Sequence, residues 1–183
     1  MNQRPLVWVI IGVSGAGKSV VGRLLSERLE SDFLEGDRRH PVSNVIKMIS
    51  QSPLDDEDRR RWLAELEADI RRAVAGKIET VLTCSALKSS YRRQLRSPGW
   101  VQLVYLEVPK SELLRRLKQR SNHYMKPEML ESQIQAFEPV SVDENVITVD
   151  GNQRPEEIVE AIMGRAIQLC PGMKKPWWQR YIE

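Results

Sequence analysis

The amino-acid sequence predicts an α/β fold built on a parallel sheet, and two observations carry this prediction. A glycine-rich loop joins a short apolar segment to an amphipathic one near the start of the chain. Strand-like and helix-like segments then alternate to the end of the 183 residues, which is the pattern of consecutive βαβ units. With 41% apolar residues and no internal repeat, the chain has the size and composition of one globular domain.

The glycine-rich loop is residues 12–19, and it fits the phosphate-binding pattern G-x-x-x-x-G-K-S/T. Residues 6–11 are mostly β-branched, as expected of a buried strand, and apolar residues after the loop recur at helical spacing up to Leu29. Glycines allow successive backbone N–H groups to point at phosphate oxygens, and the helix N-terminus adds the positive end of its dipole. A turn that binds nothing is the alternative, and the strand and helix on either side argue against it.

The pattern also assigns roles within this loop. Lys18 is expected to reach the β- and γ-phosphates of a nucleotide, and the Ser19 hydroxyl is expected to ligate Mg²⁺. The predicted nucleotide contacts are Gly12, Ser14, Gly15, Ala16, Gly17, Lys18, Ser19 and Val20.

Four further strands are predicted from short segments that end at a turn or a polar break. They are residues 32–35, 79–84, 101–108 and 145–149. Gly36 closes the second strand, and Cys84 ends the third as a buried thiol.

The helices after the first are predicted from apolar residues spaced three and four apart. Acidic residues after Pro53 are typical of a helix start, and Gly76 ends that helix. The later helices are residues 87–95, a helix that Ser111 can cap, residues 127–137 and residues 155–169. Residues 37–52 are predicted as a mixed segment, and residues 121–126 as a polar break.

Composition and charge narrow the class of function. The net charge of +3, with no long run of one sign, suits an anionic small molecule and does not indicate nucleic-acid binding. Cys84 and Cys170 are too few for a disulfide framework and are not spaced as metal ligands, so a cytoplasmic location is expected. No segment reaches transmembrane length, and the N-terminal apolar run is not a signal peptide because it leads into the phosphate loop. We therefore expect no membrane partner.

Two acidic residues follow the second strand, where ligands bind in open α/β sheets. Glu35 and Asp37 are two residues apart, which places both carboxylates on one side of an extended chain. We assign Asp37 as the base that accepts the proton of an attacking hydroxyl, and Glu35 to the Mg²⁺ shell. A solvated strand end is the alternative for either residue taken alone.

Other polar side chains are expected at the same edge of the sheet. Ser85 and Lys88 follow the third strand, and His40 and Asn44 follow Asp37. These four are predicted substrate contacts, although a plain turn or a surface position would explain each residue alone.

Arg116 and Arg120 are four residues apart, so they share one helix face next to the polar break. Guanidinium groups there can close over transferring phosphates and neutralise developing charge, as a lid does. Arg120 is accordingly predicted as catalytic. An exposed, solvated helix face is the alternative.

Several blocks stand in a fixed order along the chain. They are residues 12–19, Glu35-Gly36-Asp37, His40-Pro41-x-x-Asn44-x-x-Lys47-Met48, Pro53-Leu54-x-Asp56-x-Asp58-Arg59-x-x-Trp62-Leu63, Cys84-Ser85-Ala86-Leu87-Lys88-x-x-Tyr91-Arg92 and Leu130-x-Ser132-Gln133. Together they resemble the small P-loop gluconokinases over roughly residues 7–164. The P-loop occurs in many families, whereas the His-Pro-x-x-Asn and Ser-Ala-Leu-Lys blocks are far more specific.

The resemblance implies a three-layer P-loop kinase fold like that of shikimate and adenylate kinases. It has a five-stranded parallel sheet with helices on both faces and a mobile lid at about residues 116–128. The kinase domain would be residues 1–170 and the tail residues 171–183. The implied reaction moves the γ-phosphoryl group of ATP, with Mg²⁺, to the 6-hydroxyl of D-gluconate, and the family is commonly dimeric.

The resemblance also places individual residues. Asp37 would lie at the acceptor hydroxyl, Arg59 at the sugar-acid carboxylate, and Arg116 against adenine. Arg120 and His123 would lie in the lid, and the loop containing Arg154 would border adenine.

Three positions depart from the family pattern, namely Arg39, Gln51 and Arg61. If the chain stays extended, Arg39 shares the side of Asp37, and Arg61 lies near Arg59. The hypothesis is that the acceptor site carries extra positive charge and prefers an acid more anionic than gluconate, or one with a differently placed carboxylate. A solvent-facing Arg39 is the alternative.

Other functions also remain open at this point. The chain could be a kinase for a related aldonate or a shikimate-like acid, or a nucleotide-binding regulator without turnover. Pro176, Trp177, Trp178 and Tyr181 are predicted to pack on the same subunit or across a dimer.

Overall fold

A computed structural model describes residues 6–119 and 127–175. Five strands form one sheet in the order β2-β3-β1-β4-β5, and every neighbouring pair is parallel. The strands are β1 (Val7–Ile11), β2 (Asp32–Glu35), β3 (Thr80–Thr83), β4 (Val101–Glu107) and β5 (Ile147–Asp150). The predicted five-stranded parallel α/β fold is confirmed.

Helices connect the strands and cover both faces of the sheet. They are α1 (Lys18–Leu29), α2 (Val42–Ile49), α3 (Asp56–Gly76), α4 (Ser89–Arg96), α5 (Lys110–Gln119), α6 (Pro127–Ala136) and α7 (Pro155–Leu169). None of the described helices is long and apolar enough to cross a membrane.

Strand β1 lies at the centre of the sheet, and all five of its residues are buried. Its side chains alternate between two hydrophobic cores, as the strand period requires. Trp8 and Ile10 belong to the core under α1, α5, α6 and α7, whereas Val9 belongs to the core under α3 and α4. The molecule therefore has three layers.

The prediction of a mixed segment over residues 37–52 missed α2. A short 3₁₀ helix, Gly36–Arg39, is followed by α2. The apolar residues Val42 and Ile46 of α2 are exposed, while the polar Asn44 is buried. Val42, Val45, Ile46 and Ile49 nevertheless recur at helical spacing, so the periodicity of this segment was a usable signal for the helix that sequence analysis missed. Ser111 is not the cap of α5, since α5 begins one residue earlier.

The predicted lid and tail fall only partly within the described residues. Residues 116–119 belong to α5, and Leu117 is buried in the core. At the start of the predicted tail, Met173 lies in the 3₁₀ helix Pro171–Lys174 and is buried in the same core. Residues 120–126 and 176–183, including the predicted apolar tail, lie outside the described residues.

Gly36 marks the point where β2 turns towards the candidate site. A Cβ atom there would lie 2.1 Å from the Thr83 backbone oxygen. The Gly36 carbonyl accepts a 2.8 Å hydrogen bond from Trp62 Nε1. This position therefore needs glycine for close approach to β3.

We expect Gly36→Ala to destabilise the protein by about 1–3 kcal/mol, because the neighbouring atom belongs to the backbone and cannot move cheaply. Gly164→Ala is the matched control. Gly164 lies within α7, and a Cβ atom added there would point into open space, so alanine should be neutral or stabilising by up to about 1 kcal/mol. Urea unfolding measures the stability of both variants. Equal stability of the two variants would contradict the packing argument.

Candidate functional site

A cavity of about 630 Å³ opens at the carboxyl ends of β1, β2 and β3. Its walls come from the P-loop, the turn after β2, the start of α3, the loop after β3 and helix α6. The predicted site residues that line it are Ser14, Lys18, Asp37, His40, Arg59, Ser85 and Lys88. The structure thus brings most of the predicted catalytic and acceptor residues together.

The P-loop forms a tight turn between β1 and α1. Gly15 and Gly17 have φ values of +87° and +97°, which side-chain-bearing residues rarely adopt. Lys18 begins α1, and its Nζ donates to the Val13 carbonyl at 3.1 Å. The Gly12 N–H donates to the Ser85 carbonyl at 3.3 Å, so the loop is tied to the segment after β3. Of the other predicted phosphate contacts, Ala16 is buried and Val20 is exposed on α1.

Glu35 ends β2 directly opposite Thr83 of β3. Its Oε1 accepts hydrogen bonds from Ser19 Oγ at 2.9 Å and from Thr83 Oγ1 at 2.6 Å. Arg23 lies 3.9 Å from the other carboxylate oxygen. These hydroxyl and carboxylate oxygens are the hard ligands that Mg²⁺ prefers. Sequence analysis missed Thr83, although its place at the end of a neighbouring strand was a usable signal.

No group of three or more His, Cys, Asp or Glu side chains suited to a metal ion occurs in the part of the chain that the structure describes.

Asp37 and His40 lie on the short 3₁₀ turn and its exit, not on an extended strand. His40 stacks on Trp62, with ring centroids 4.2 Å apart and planes 14° apart. Burial lowers the pKa of His40 to about 4, although nearby Asp37 opposes this effect. The imidazole is therefore neutral near pH 7.

Asn44 contacts His40 but does not line the cavity. Its Nδ2 donates to the Asp58 carbonyl at 2.7 Å and lies 3.3 Å from His40 Nδ1. Asn44 was predicted as a substrate contact, but its buried position indicates that it supports His40 instead.

The first turn of α3 forms an acidic rim of the cavity. Asp55 and Asp58 make a reciprocal capping box. Asp56 accepts hydrogen bonds from Lys88 Nζ at 2.7 Å and from the Tyr91 hydroxyl, and these bonds lower its pKa. Arg59 Nη1 contacts the Asp55 carbonyl at 3.4 Å.

Arg116 connects the P-loop to the loop after β5. Its Nη1 donates to the Ala16 carbonyl at 3.3 Å, and its Nη2 donates to the Gly151 carbonyl at 3.0 Å. Its Nε pairs with Glu112 at 2.7 Å. Arg154 caps α7 and pairs with Glu157, with 78% of its side chain exposed. The predicted Arg120 and His123 lie outside the described residues.

The prediction that Arg39 and Arg61 add charge to the acceptor cavity is wrong. Residues Gly36–Arg39 form a 3₁₀ helix, so Arg39 does not share the side of Asp37. Arg39 Nε pairs with the buried Asp69 of α3 at 2.7 Å. Arg61 is exposed, and neither arginine lines the cavity.

Gln133 of α6 reaches the P-loop, which sequence analysis did not foresee. Its Oε1 accepts a hydrogen bond of 2.7 Å from the backbone N–H of Ser14. A carbonyl oxygen thus lies on an amide that the P-loop pattern assigns to phosphate.

Arg92 is fully buried and holds the segment after β3. Its guanidinium pairs with Glu144 at 2.5 and 2.8 Å. It also donates to the carbonyls of Leu87 at 3.2 Å and Glu138 at 3.0 Å. Arg92 therefore fixes Ser85–Lys88 against the loop after α6 without touching the cavity itself.

Comparisons of sequence and comparisons of fold both find gluconokinases similar to this chain. A family model described as an AAA domain matches residues 7–140. A gluconokinase from Gluconobacter oxydans is 41% identical over 164 residues, which span 89% of this chain and 92% of that protein. The crystal structure of a gluconokinase from Sinorhizobium meliloti matches with a TM-score of 0.80 at 36% identity, over 94% of this chain and 98% of that one. A shikimate kinase from Aquifex aeolicus matches with a TM-score of 0.59 at 19% identity, over 91% and 99%, which is a likeness of fold alone.

Removing the Arg92 side chain should cost about 3 kcal/mol of stability, because the partly buried Glu144 carboxylate and several carbonyls would lose their donor. Arg60→Ala is the control, since Arg60 and Glu57 form an ion pair with both side chains more than 70% exposed, worth at most about 1 kcal/mol. Chemical denaturation of Arg92→Ala and Arg60→Ala measures the difference. A loss in Arg92→Ala no larger than in the control would show that Arg92 does not anchor the segment.

Proposed function

This chain belongs to the gluconokinase family, and we propose from that premise that it transfers the γ-phosphoryl group of ATP to a hydroxyl of D-gluconate, forming 6-phosphogluconate. The main support for this proposal is the position of two residues. Lys18 of the P-loop and the carboxylate-bearing Asp37 line the same cavity. A phosphate-binding loop and a candidate base that share one cavity are the two parts that phosphoryl transfer to a hydroxyl needs.

The nucleotide side of the proposal rests on the P-loop. Its backbone N–H groups and the N-terminus of α1 would bind the phosphates, and Lys18 would leave the Val13 carbonyl to reach the β- and γ-phosphates. Arg116 lies against Ala16 and Gly151, which supports a role beside the adenine. Arg154 follows in the same loop, and Arg120 and His123 would act from the lid.

Mg²⁺ would be held by Ser19 and Glu35 together with phosphate oxygens. The hydrogen-bonded oxygens of Ser19, Glu35 and Thr83 fit this ion, because all of them are hard donors within one small cluster. When bound, Mg²⁺ neutralises charge on the phosphates during transfer.

The acceptor side would use the other half of the cavity. Asp37 accepts the proton of the attacking hydroxyl while that oxygen bonds to the γ-phosphorus and the bond to the β-phosphate oxygen breaks. Arg59 and Lys88 supply cationic groups for the sugar-acid carboxylate. Ser85 lies beside Lys88 in the wall and can hydrogen-bond the polyol chain.

Two alternatives can be weighed against this arrangement. The hypothesis of a strongly anionic acceptor depended on the charges of Arg39 and Arg61. It is no longer supported, because both arginines lie outside the cavity. A regulator without turnover would not need Asp37 in a cavity with Lys18, so that candidate is less well supported.

The proposal also includes a homodimer in the cytoplasm. The free cysteines Cys84 and Cys170 fit a reducing compartment. Light scattering on the purified protein tests the dimer.

The proposed reaction is tested by measuring ADP release with gluconate, related aldonates, sugar diacids and shikimate as acceptors. We expect gluconate to give the highest kcat/KM. Turnover with shikimate alone, or ATP binding with no turnover on any acceptor, would reject the proposal.

Asp37→Asn should lower kcat by roughly 10²–10⁴ and leave ATP binding nearly unchanged, because asparagine keeps the shape but cannot accept the proton. Glu57→Gln is the control, since Glu57 also lines the cavity rim but has no assigned role. ATP affinity comes from calorimetry and kcat from the ADP assay. Equal losses of ATP affinity and kcat would move Asp37 to the nucleotide site.

Gln133→Ala should bind ATP about 2–10-fold more tightly in the absence of acceptor, because nucleotide would no longer displace the amide oxygen from the Ser14 N–H. Gln133→Glu should bind ATP more weakly, since a carboxylate holds that N–H more strongly and repels phosphate. Gln135→Ala, on the exposed face of the same helix, should change neither. Weaker ATP binding by Gln133→Ala would mean that Gln133 contacts the nucleotide directly.

A further inference from the structure

The hydrogen bonds around His40 define which ring nitrogen carries the proton. The Asp58 backbone carbonyl can only accept a hydrogen bond, so the Asn44 atom 2.7 Å from it is the amide nitrogen Nδ2. The second hydrogen of that amide faces His40 Nδ1 at 3.3 Å. Because Nδ1 must accept this hydrogen bond, the proton of the neutral ring is on Nε2.

The burial of Asn44 and contacts made by Trp62 and Lys47 keep this arrangement in place. Asn44 is only 2% exposed, so its amide has no water to exchange with. Trp62 supports one face of the imidazole and is itself fixed by its hydrogen bond to the Gly36 carbonyl. Lys47 pairs with the Asp58 carboxylate at 2.6 Å and secures the start of α3.

The ring of His40 lines the acceptor cavity, and Nε2 is the ring nitrogen that Asn44 does not contact. Within residues 6–119 and 127–175 it donates to no other group. Burial and the Arg59 charge favour the neutral ring over the effect of Asp37. A neutral donor of fixed direction is therefore presented to whatever enters beside Asp37.

We propose that His40 is a specificity-determining residue that donates from Nε2–H to a hydroxyl oxygen of the polyol chain of the acceptor. This inference rests on the proposed function, because it takes the acceptor to be a sugar acid. The cavity already has the cations Arg59 and Lys88 for the carboxylate, so the neutral donor suits a hydroxyl. It would favour acceptors with an oxygen at one particular carbon.

Two substitutions separate the two nitrogens of the ring. His40→Gln places an amide N–H near the Nε2 position but removes the acceptor for Asn44. His40→Asn keeps an oxygen near the Nδ1 position but removes the donor into the cavity. If His40 acts only by supporting the fold, activity should follow stability in both variants.

We expect activity and stability to separate. His40→Asn should keep most of the thermal stability and lose about tenfold or more in kcat/KM for gluconate. His40→Gln should be less stable and keep more of its kcat/KM. ATP affinity should stay unchanged in both, since His40 lies on the acceptor side.

Deoxygluconates lacking single hydroxyls identify the contact. The wild type should discriminate against one of them by about tenfold, and His40→Asn should lose that discrimination while its other ratios stay. Loss of activity on every acceptor by the same factor would overturn the proposal.

Nuclear magnetic resonance of the ¹⁵N-labelled wild-type protein tests the tautomer without any acceptor. The chain has only two histidines, so a His123→Gln variant assigns the signals. We expect a protonated Nε2 and an unprotonated Nδ1 for His40 from pH 6 to 8. A proton on Nδ1 would overturn the inference even if gluconate is the substrate. A confirmed tautomer with no turnover of gluconate would instead reject the proposed function.

Discussion

The burial of β1 on both faces is the constraint on which the site depends. A central strand with no solvent-facing residue must have a parallel neighbour on each side and a helical layer on each face. The carboxyl ends of β1, β2 and β3 then lie at one edge of the sheet. The P-loop, the turn that carries Asp37 and the segment that carries Ser85 meet there. Their proximity therefore follows from the core and needs no direct attraction between them.

The acceptor wall is held by tertiary contacts, because its own elements are too short to be stable alone. The 3₁₀ turn has four residues and α2 has eight, well below the length at which an isolated helix forms in water. Asn44 joins α2 to α3, and Trp62 joins α3 to the turn through the Gly36 carbonyl. The polar groups that are buried here have hydrogen-bonding partners, as buried polar groups generally require. The wall is thus held in place by contacts within the protein itself.

The fold and the position of several candidate site residues could be predicted from the sequence, for identifiable reasons. The P-loop pattern is local, so Lys18 and Ser19 could be placed from spacing alone. Contacts between distant segments have no such signal. Gln133 meets Ser14 across 119 positions, and nothing in the periodicity of α6 points to that contact. Arg39 was misplaced because residues i and i+2 share a side only in extended chain, and the chain there coils into a 3₁₀ turn.

The ion pairs around the cavity differ in how readily they can exchange partners. Lys88 and Asp56 pair at the rim, where Asp56 is 64% exposed. Such a pair is worth about 0–1 kcal/mol, so an incoming carboxylate can replace Asp56 at little cost. Arg92 and Glu144 pair where the arginine has no exposed surface, and separating them would leave buried charge without a partner. The segment after β3 and helix α4 therefore hold two cations of different kinds: Lys88 lines the cavity and can change partners, whereas Arg92 is buried and keeps its partner. Lys88 can thus exchange Asp56 for a substrate carboxylate during a catalytic cycle while its backbone stays in place.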